Sequence, residues 1–346
     1  MQTEERDQED VAVTALLARA RARVDPVLRA AVDTLPARMR LIAGYHLGWW
    51  DQGGVLQEGG SGKAIRPALV LATLQAAKAD DDRGLCAAAA VELVHNFTLL
   101  HDDVMDADTL RRHRPTAWAV FGLPDAILAG DALQALAARL LAHDPHPAAS
   151  AAASRLASCV IELCEGQHAD CAFQERTTVG LDGCLTMSEA KTGALLGCAC
   201  ALGALYAGAD EKDADSLDRC GRQLGLCFQL VDDLLGIWGD PAVTGKPAGA
   251  DLVALKKSLP VTAALASGTA AGDELAALFE AGAPLRPAQL PHAMDLVERA
   301  GGRRWARAQA DETAGQALEG LSRMYPEPQA RGELLALARL ISRRDH

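Results

Sequence analysis

Hydrophobic and polar positions follow a helical period over long segments of the 346-residue chain, and the sustained alternation that predicts strands is nearly absent. Alanine and leucine dominate these segments, which favours helix, and aromatic residues make up only 4% of the chain. Turns rich in glycine, proline and aspartate separate them. The pattern predicts helices at about 9–33, 64–79, 84–106, 124–143, 148–173, 187–208, 212–238, 258–267, 273–281, 287–300, 303–322 and 329–343.

No serine/glycine linker or low-complexity tract divides the chain. We therefore expect one all-α domain over residues 11–346, a large helical bundle with a central cavity, after a flexible segment at residues 1–10. Between Lys191 and Asp210 there are 18 residues without a charge, which is near the lower limit for a membrane span. This segment is rich in alanine, glycine and cysteine, so a buried helix is the preferred interpretation and a transmembrane segment the alternative.

Composition narrows the classes of function. A net charge of -12 argues against nucleic-acid binding, because a polyphosphate would be repelled over most of the surface. The first residues, MQTEERDQEDVAV, lack the basic start and apolar core of a secretory signal. Nine cysteines without a Cys-x-x-Cys pair indicate buried thiols in a reducing compartment, and we expect a cytoplasmic protein.

Candidate chemistry begins where the apolar run VELVHNFTLLH ends in carboxylates. Asp102 and Asp106 are four residues apart and share a helix face, while Asp103 points roughly a quarter-turn away. Adjacent carboxylates repel unless they are solvated or bridged by a cation. A solvated helix end is one interpretation. The apolar run before them favours the other, a pair of carboxylates at the rim of a cavity.

Oxygen ligands without cysteine or clustered histidine suit Mg²⁺, which often shares its coordination sphere with substrate phosphates. Arg111 and Arg112 follow closely, and their guanidinium groups match phosphate oxygens. Paired aspartates, a short gap and paired arginines therefore predict a diphosphate bridged by magnesium.

A second cluster of the same kind ends the apolar run GLCFQLVDD, at Asp232 and Asp233. Gln229 lies about one turn before Asp232, and Lys246 and Lys256 follow in a glycine-rich stretch that could wrap phosphate. The two clusters are 130 residues apart in the sequence (232 minus 102), and they would form one site if they face one another in the fold. Lys256 could also be an ordinary surface charge.

Five motifs in order resemble the trans-isoprenyl (polyprenyl) diphosphate synthases, all-α enzymes that elongate allylic diphosphates with isopentenyl diphosphate. The likeness extends by motif from about residue 60 to 260. The motifs are GKAIRP at 62–67, HDDVMDADTLRR at 101–112, EGQHAD at 165–170, KTG at 191–193 and FQLVDD at 228–233.

The resemblance implies a role for each matching position. Asp102, Asp106 and Asp232 would bind Mg²⁺, about three ions per active site, with Asp103 and Asp233 in support. Arg111, Lys191 and Lys246 would bind the allylic diphosphate. Lys63, Arg66, His95 and Arg112 would bind isopentenyl diphosphate. Lys191, Thr192 and Gln229 would serve catalysis, with Thr192 and the region of Gln229 facing the developing allylic cation.

The chemistry that the resemblance implies is electrophilic alkylation in a dry, apolar cavity, because water would capture the cation. The all-helical family usually forms homodimers, so the expected partners are the two diphosphates and a second copy of the chain. Gly166 and Gln167 could be packing residues and are left outside the expected site.

The sequence departs from the family pattern at two places. The second motif usually reads Asp-Asp-x-x-Asp, but Gly236 holds its third position, and Asp240 could help only through water or a bend. His113 stands where glycine commonly follows the arginine pair. A terpene cyclase of the class that ionises an allylic diphosphate, or a non-catalytic subunit of a heteromeric synthase, therefore stays an alternative. The isopentenyl set (Lys63, Arg66, His95) favours the synthase over the cyclase.

In this family the residues four and five positions before the first aspartate form the cavity floor, here Thr98 and Phe97. One aromatic paired with a smaller residue suggests a floor deeper than in fifteen-carbon producers with two aromatics. We expect a geranylgeranyl product, with farnesyl the next candidate.

Overall fold

The computed structural model of the protein describes residues 2–57, 62–176, 178–240, 248–282 and 284–342. The all-α class predicted from the sequence is confirmed. In chain order the α-helices are α1 (Gln2–Val32), α2 (Ala37–His46), α3 (Ile65–Ala76), α4 (Leu85–Met105), α5 (Ala117–Phe121), α6 (Leu123–His143), α7 (Ala149–Glu175), α8 (Leu181–Ser188), α9 (Ala194–Tyr206), α10 (Glu211–Trp238), α11 (Ala250–Val253), α12 (Leu259–Leu265), α13 (Ala270–Glu280), α14 (Leu290–Arg299), α15 (Gly302–Met324) and α16 (Gly332–Ser342).

Four shorter elements interrupt this series. Two turns of 3₁₀-helix lie at Asp81–Gly84 and Pro287–Gln289, and a π-helical turn at Glu189–Gly193 joins α8 to α9. Strands β1 (Leu110–Arg111) and β2 (Arg114–Pro115) form a short antiparallel hairpin after α4.

The chain divides into two compact units, the first comprising Met1–Val160, Cys198–Asp218 and Met324–Leu337. Its core is built where α4 packs against α1, α3 and α6. The leucines that face this core are fully buried, because the apolar positions of these helices recur with the helical period. Examples are Leu74 on α3, Leu93 and Leu100 on α4, and Leu133 on α6.

A glycine allows two helices of the first unit to pack with backbones in near contact. A Cβ atom at Gly203 on α9 would lie 2.6 Å from the carbonyl oxygen of Val70 on α3 and 2.7 Å from Cβ of Thr73. No real side chain tolerates that distance, so this approach requires glycine.

The second unit comprises Ile161–Gly197, Arg219–Arg323 and Ala338–His346. One apolar cluster gathers buried residues of α10 to α14, including Ile237, Leu252 and Phe279. Another joins α8, α10, α12 and α15 through residues such as Cys184 and Leu230. The prediction of one domain over residues 11–346 is not tested by this division and stays a prediction, as does the flexibility of residues 1–10.

The apolar segment after Lys191 is a buried helix, as preferred from its composition. Helix α9 is buried along its length, with Leu202 and Tyr206 wholly inaccessible. Among the described residues, the stretch Asp81–Met105 is long and apolar enough to cross a membrane. Two-thirds (67%) of its apolar window is buried within the protein, as in the core helix of a globular unit.

The hairpin after α4 was not predicted, because its turn has neither asparagine nor glycine. Arg111 pairs with Arg114, so Arg112 and His113 form a two-residue turn. Both have positive φ, 50° and 62°, as a type I′ turn requires. Position 113 is therefore a left-handed position that is occupied by histidine.

Side chains of the first unit fix this hairpin. The guanidinium of Arg114 donates to the carbonyl oxygen of Trp50 at 3.1 Å and lies over the Tyr45 ring, 4.6 Å from its centroid. The Tyr45 hydroxyl donates to the carbonyl oxygen of Pro115 at 2.7 Å. The hairpin therefore holds Arg111 and Arg112 in one orientation despite its strained turn.

We predict that His113→Gly raises the free energy of unfolding by about 0.5 kcal/mol. Relief of the left-handed conformation, worth about 1 kcal/mol, is partly offset by the greater entropy of glycine in the unfolded chain. Urea unfolding measures the change. Ala119→Gly in α5, an exposed helical position, is the control and should lower stability by about 1 kcal/mol. A less stable His113→Gly variant would mean that the imidazole makes a contact worth more than the strain.

Candidate active site

The first aspartate motif lies at the end of α4, the apolar helix of the first unit. The backbone N–H of Asp106 donates to the carbonyl oxygen of Asp102 at 2.8 Å, so the two residues lie one helical turn apart. Asp102 is half-buried, and Asp106, the C-cap residue, is exposed. The helix ends there because Ala107 adopts the left-handed conformation, with φ of 54°.

Asp103, between them, is buried and bonded to the hairpin. Nε of Arg111 donates to its Oδ1 at 2.7 Å, while its Oδ2 is buried with no hydrogen-bond partner in the described part of the chain. Burial raises the pKa of Asp103, the Arg111 charge opposes that shift, and the charges of Asp108 and Asp106 add to it. Negative charge at this helix end is therefore only partly neutralised by the protein.

Three of the four residues predicted to bind isopentenyl diphosphate are close together in the first unit. Nη1 of Arg66 on α3 lies 3.2 Å from Nε2 of His95 on α4. Burial, followed by the charges of Arg66 and Arg112, holds the pKa of His95 well below its usual range. His95 is therefore neutral near pH 7 and can accept the Arg66 hydrogen bond through Nε2.

The GKAIRP segment brings its backbone against the hairpin. A Cβ atom at Gly62 would lie 2.5 Å from Nη2 of Arg112, so a side chain here would require the guanidinium to move. The next residue, Lys63, is exposed, and Ala64 turns the chain into α3 with φ of 54°. The fourth residue of the predicted set, Lys63, is thus adjacent in sequence to the contact with Arg112.

A buried carboxylate beneath these basic residues escaped the sequence analysis. Glu92 is 9% exposed, and Nδ2 of Asn96 donates to its Oε1 at 3.1 Å. Burial raises its pKa, and the charges of Arg66 and Arg112 are among those that oppose the shift. Its place inside the apolar run VELVHNF was the available signal, since an unpaired charge is rarely buried there.

Two small pockets open on this cluster, and Arg112 borders both. One is lined by residues that include His46, Asp103 and Arg111. The other is lined by residues that include Arg21, Glu92, Asn96 and Arg112. Arg21 on α1 and His46 on α2 are further charged or polar neighbours that the motifs did not indicate.

In the second unit the π-helical turn presents Lys191. Its Nζ donates to Oδ2 of Asp170 on α7 at 2.6 Å. A Cβ atom at Gly166 would lie 2.6 Å from the backbone nitrogen of Lys191, which makes Gly166 a packing residue of this turn. π-helical turns frequently occur at functional sites. Asp170, the last residue of EGQHAD, is a second residue that the predicted site omitted.

A chain of hydrogen bonds links the π-helical turn to the second aspartate motif on α10. The Thr192 hydroxyl donates to Oε1 of Gln229 at 3.0 Å, and Nε2 of Gln229 donates to Oδ1 of Asp233 at 2.8 Å. The backbone N–H of Leu259 donates to Oδ2 of Asp233 at 2.8 Å. Asp233 is buried and holds these groups in place, while Asp232 beside it is exposed.

Asp233 and Lys256 lie close together and shift one another's pKa. Burial raises the pKa of Asp233 to about 6, against the opposing charge of Lys256. Nζ of Lys256 lies 3.9 Å from carboxylate oxygens of both Asp233 and Asp251. Burial lowers the pKa of Lys256, but the surrounding carboxylates outweigh it and the net shift is upward. Lys256 is therefore a charged member of this acidic cluster, and Lys246 lies outside the described residues.

Comparison with known proteins assigns the family. The sequence model of the family described as polyprenyl synthetase matches residues 56–297. The chain belongs to this family. The predictions of the family and of a prenyltransferase are therefore confirmed.

Several members of the polyprenyl synthetase family are similar over nearly the whole chain. A geranylgeranyl diphosphate synthase of Mycobacterium tuberculosis is 48% identical, covering 96% of this chain and 94% of its own. A (2E,6E)-farnesyl diphosphate synthase of Mycobacterium bovis is 46% identical, covering 92% and 89%. A crystal structure of a polyprenyl synthetase from Streptomyces coelicolor A3(2) superposes with a TM-score of 0.90 at 46% identity, covering 95% of this chain and 99% of the other.

The carboxylates of this polyprenyl synthetase fit Mg²⁺, which the family generally uses. They offer oxygen donors alone, and a buried oxygen of Asp103 is left without a protein partner in the described chain. Within the described ranges, no group of three or more His, Cys, Asp or Glu side chains could hold a metal by itself. Diphosphate oxygens and water would have to complete the coordination sphere.

The predicted chain-length residues lie one turn above the aspartates on α4. Phe97 is 5% exposed and meets the His101 ring edge-on, with centroids 5.5 Å apart. The Thr98 hydroxyl donates to the carbonyl oxygen of His95 at 2.8 Å. Thr98 therefore shares a helix face with Asp102, whereas Phe97 packs with His101 on a neighbouring face.

We predict that His46 makes the protein sensitive to acid. Burial, followed by the charges of Arg111 and Arg112, lowers the pKa of His46 to about 3, against about 6.5 when unfolded. Because only the unfolded state takes up the proton between these values, stability is full above pH 6.5 and falls as the pH drops below it.

Urea unfolding at pH 7.5 and 5.5 measures this loss. The His46→Gln variant should lose about 1 kcal/mol less than the unmodified protein over that interval. The exposed His143 is the control, and His143→Gln should keep the original pH dependence. Equal losses in all three proteins would contradict a neutral His46 in the folded state.

Proposed function

We propose that the protein condenses isopentenyl diphosphate with an allylic diphosphate in the presence of Mg²⁺, forming geranylgeranyl diphosphate or, next, farnesyl diphosphate. The names of its relatives support both product classes. The observation that carries the proposal is the contact of Arg66 with His95, beside Arg112, in the first unit.

This basic cluster supports a synthase over a cyclase because of what it would bind. Arg66 and Arg112 come from two separate motifs and His95 from the apolar run of α4, and these residues surround space at the surface of the first unit, where guanidinium groups match diphosphate oxygens. A cyclase acts on one allylic diphosphate, which the aspartate motifs already serve. A second diphosphate site is needed only when isopentenyl diphosphate is the other substrate.

The carboxylates and basic residues of the aspartate motifs would bind the allylic diphosphate. Asp102, Asp106 and Asp232 would hold Mg²⁺, with about three ions in each active site. Bound Mg²⁺ neutralises the leaving diphosphate and so lowers the barrier to breaking the allylic C–O bond. Arg111, Lys191 and Lys246 would contact the same diphosphate, and Asp103 and Asp170 hold Arg111 and Lys191 in position.

The residues that follow Lys191 suit the second part of the reaction. After ionisation, the oxygen atoms of Thr192 and Gln229 would face the allylic cation, with Asp233 orienting the Gln229 amide. The isopentenyl double bond attacks the cation, a carbon–carbon bond forms, and a proton is lost to the departed diphosphate. The apolar residues of α4 would exclude water, which otherwise captures the cation.

Incubation of purified protein with Mg²⁺, labelled isopentenyl diphosphate and each of three allylic diphosphates tests the function. We expect a longer linear diphosphate, whose chain length gives the product directly. Arg66→Leu should raise KM for isopentenyl diphosphate at least ten-fold, with a smaller effect on KM for the allylic substrate. Hydrocarbon release without consumption of isopentenyl diphosphate would point to a cyclase, and no turnover would point to a non-catalytic subunit.

We predict that Phe97→Ala lengthens the product, because it removes the aromatic side chain expected at the cavity floor. Chromatography of the extracted products measures chain length. Phe279→Ala is the matched control, since Phe279 is also 5% exposed but belongs to a core cluster of the second unit. Both variants should lose a few kcal/mol of stability, about 3–5, yet only Phe97→Ala should change the product. An unchanged chain length would exclude Phe97 from the floor.

The proposed working form is a cytoplasmic homodimer. None of the nine cysteines, all of which lie in the described ranges, forms a disulfide, and six are buried as α-helical core residues with little access to oxidants, which suits a reducing compartment. The mass in solution, from light scattering, tests the dimer.

A further inference from the structure

The second aspartate motif lacks its third carboxylate, and the structure shows what occupies that position. Gly236 lies one turn after Asp232 on α10 and shares its helix face. A Cβ atom at Gly236 would lie 2.3 Å from Oδ2 and 2.7 Å from Cγ of Asp251. The carboxylate of Asp251 therefore fills the volume in which a side chain at position 236 would begin.

The short helix α11 places Asp251 there, and it is fixed on both sides. Helix α11 starts after Gly249, whose φ of 75° suits glycine. Gly249 also lies close to Leu290, because a Cβ atom added at Gly249 would lie 2.6 Å from Cδ1 of that leucine. Leu252 is wholly buried in the apolar cluster that includes Ile237 of α10. The backbone N–H of Lys256 donates to the carbonyl oxygen of Asp251 at 2.8 Å.

From this geometry we propose that Asp251 supplies the third carboxylate of the second motif and helps bind the magnesium diphosphate. The inference rests on the proposed function and deepens it. Gly236 is then an adaptation, since its missing side chain makes room for a carboxylate from α11. The family pattern places a carboxylate beside Asp232 from the third position of the motif, whereas in this chain Asp251 would place it there from α11.

The contacts of Asp251 allow it to take up a cation. Its Oδ2 is 3.9 Å from Nζ of Lys256, whose side chain is 43% exposed. At this distance Lys256 supplies charge but no direct hydrogen bond to Oδ2. Asp233, by contrast, is occupied by hydrogen bonds from Gln229 and Leu259. Asp251 is thus the more available carboxylate of the two that flank Lys256.

Asp240, the alternative considered from the sequence, is less well placed. Helix α10 ends at Trp238, so Asp240 no longer follows the helical period that brings position 236 beside Asp232. It is exposed, and the carboxylate that meets position 236 belongs to Asp251.

Calorimetric titration of Mg²⁺ into the whole protein with inorganic pyrophosphate tests the proposal without any turnover. Asp251→Asn and Asp251→Ala should each weaken Mg²⁺ binding at least ten-fold, the size of effect typical of residues that orient metal ligands. The decisive variant combines Asp251→Ala with Gly236→Asp. It moves the carboxylate back to the third position, and its Mg²⁺ affinity should recover most of the loss.

Two single substitutions serve as controls. Asp240→Asn tests the alternative carboxylate, and Asp273→Asn, an exposed residue of α13, tests the change in net charge. Both should bind Mg²⁺ as the unmodified protein does. Circular dichroism and the thermal midpoint of each variant show that it is folded.

Unchanged Mg²⁺ affinity in Asp251→Asn would overturn the proposal, and so would a double variant no better than Asp251→Ala alone. Either result leaves the elongation reaction of the unmodified protein intact, so it is distinct from a failure of the proposed function. If the unmodified protein elongates no substrate yet binds Mg²⁺ and pyrophosphate through Asp251, the function fails and the assignment of Asp251 stands.

Discussion

The main physical constraint on this protein is the placement of charged side chains at the ends of apolar helices. A carboxylate or guanidinium in such a place loses hydration, and a counter-charge or hydrogen bonds must offset the free energy that this costs. Arg111 donates a hydrogen bond to Asp103, Lys191 donates one to Asp170, and Asp233 accepts two. The groups that would meet substrate are therefore oriented by partners before any substrate arrives.

The same constraint explains the irregular backbone around these groups. A regular helix would direct Lys191 and Thr192 by a fixed rotation, whereas the π-helical turn alters that rotation at both residues. The left-handed turn at Arg112 likewise directs two adjacent arginines differently: Arg111 donates to Asp103, and the guanidinium of Arg112 lies beside Gly62. Such conformations cost free energy, and tertiary contacts such as those of Arg114 offset it.

Sequence periodicity predicted the long helices well, because the burial of their apolar faces determines where they form. Helix α4 was expected at 84–106 and spans Leu85–Met105, and α10 was expected at 212–238 and spans Glu211–Trp238. Helix α2 was missed, since ARMRLIAGYH carries few strong apolar repeats. The break between α8 and α9 was missed as well, because a π-helical turn leaves no compositional mark.

Motifs indicated which residues carry the chemistry, but not the residues that support them. Asp170 and Asp251 act on Lys191 and on the space at position 236, to which no local spacing connects them, and the burial of Glu92 depends on how α4 packs. The gap at Gly236 was visible from the sequence, whereas its occupant depended on the path of the chain after α10. Long-range placement of short elements is the information that a single sequence lacks.

The close approach of Gly62 to Arg112 has a consequence for how this chain can diverge. Loops ordinarily accept substitutions freely, because their side chains extend into solvent. Position 62 is a loop position at which any side chain would enter the space of a guanidinium. A substitution at position 62 therefore displaces the Arg112 guanidinium from its present place, so this loop position is coupled to a residue 50 positions away (112 minus 62).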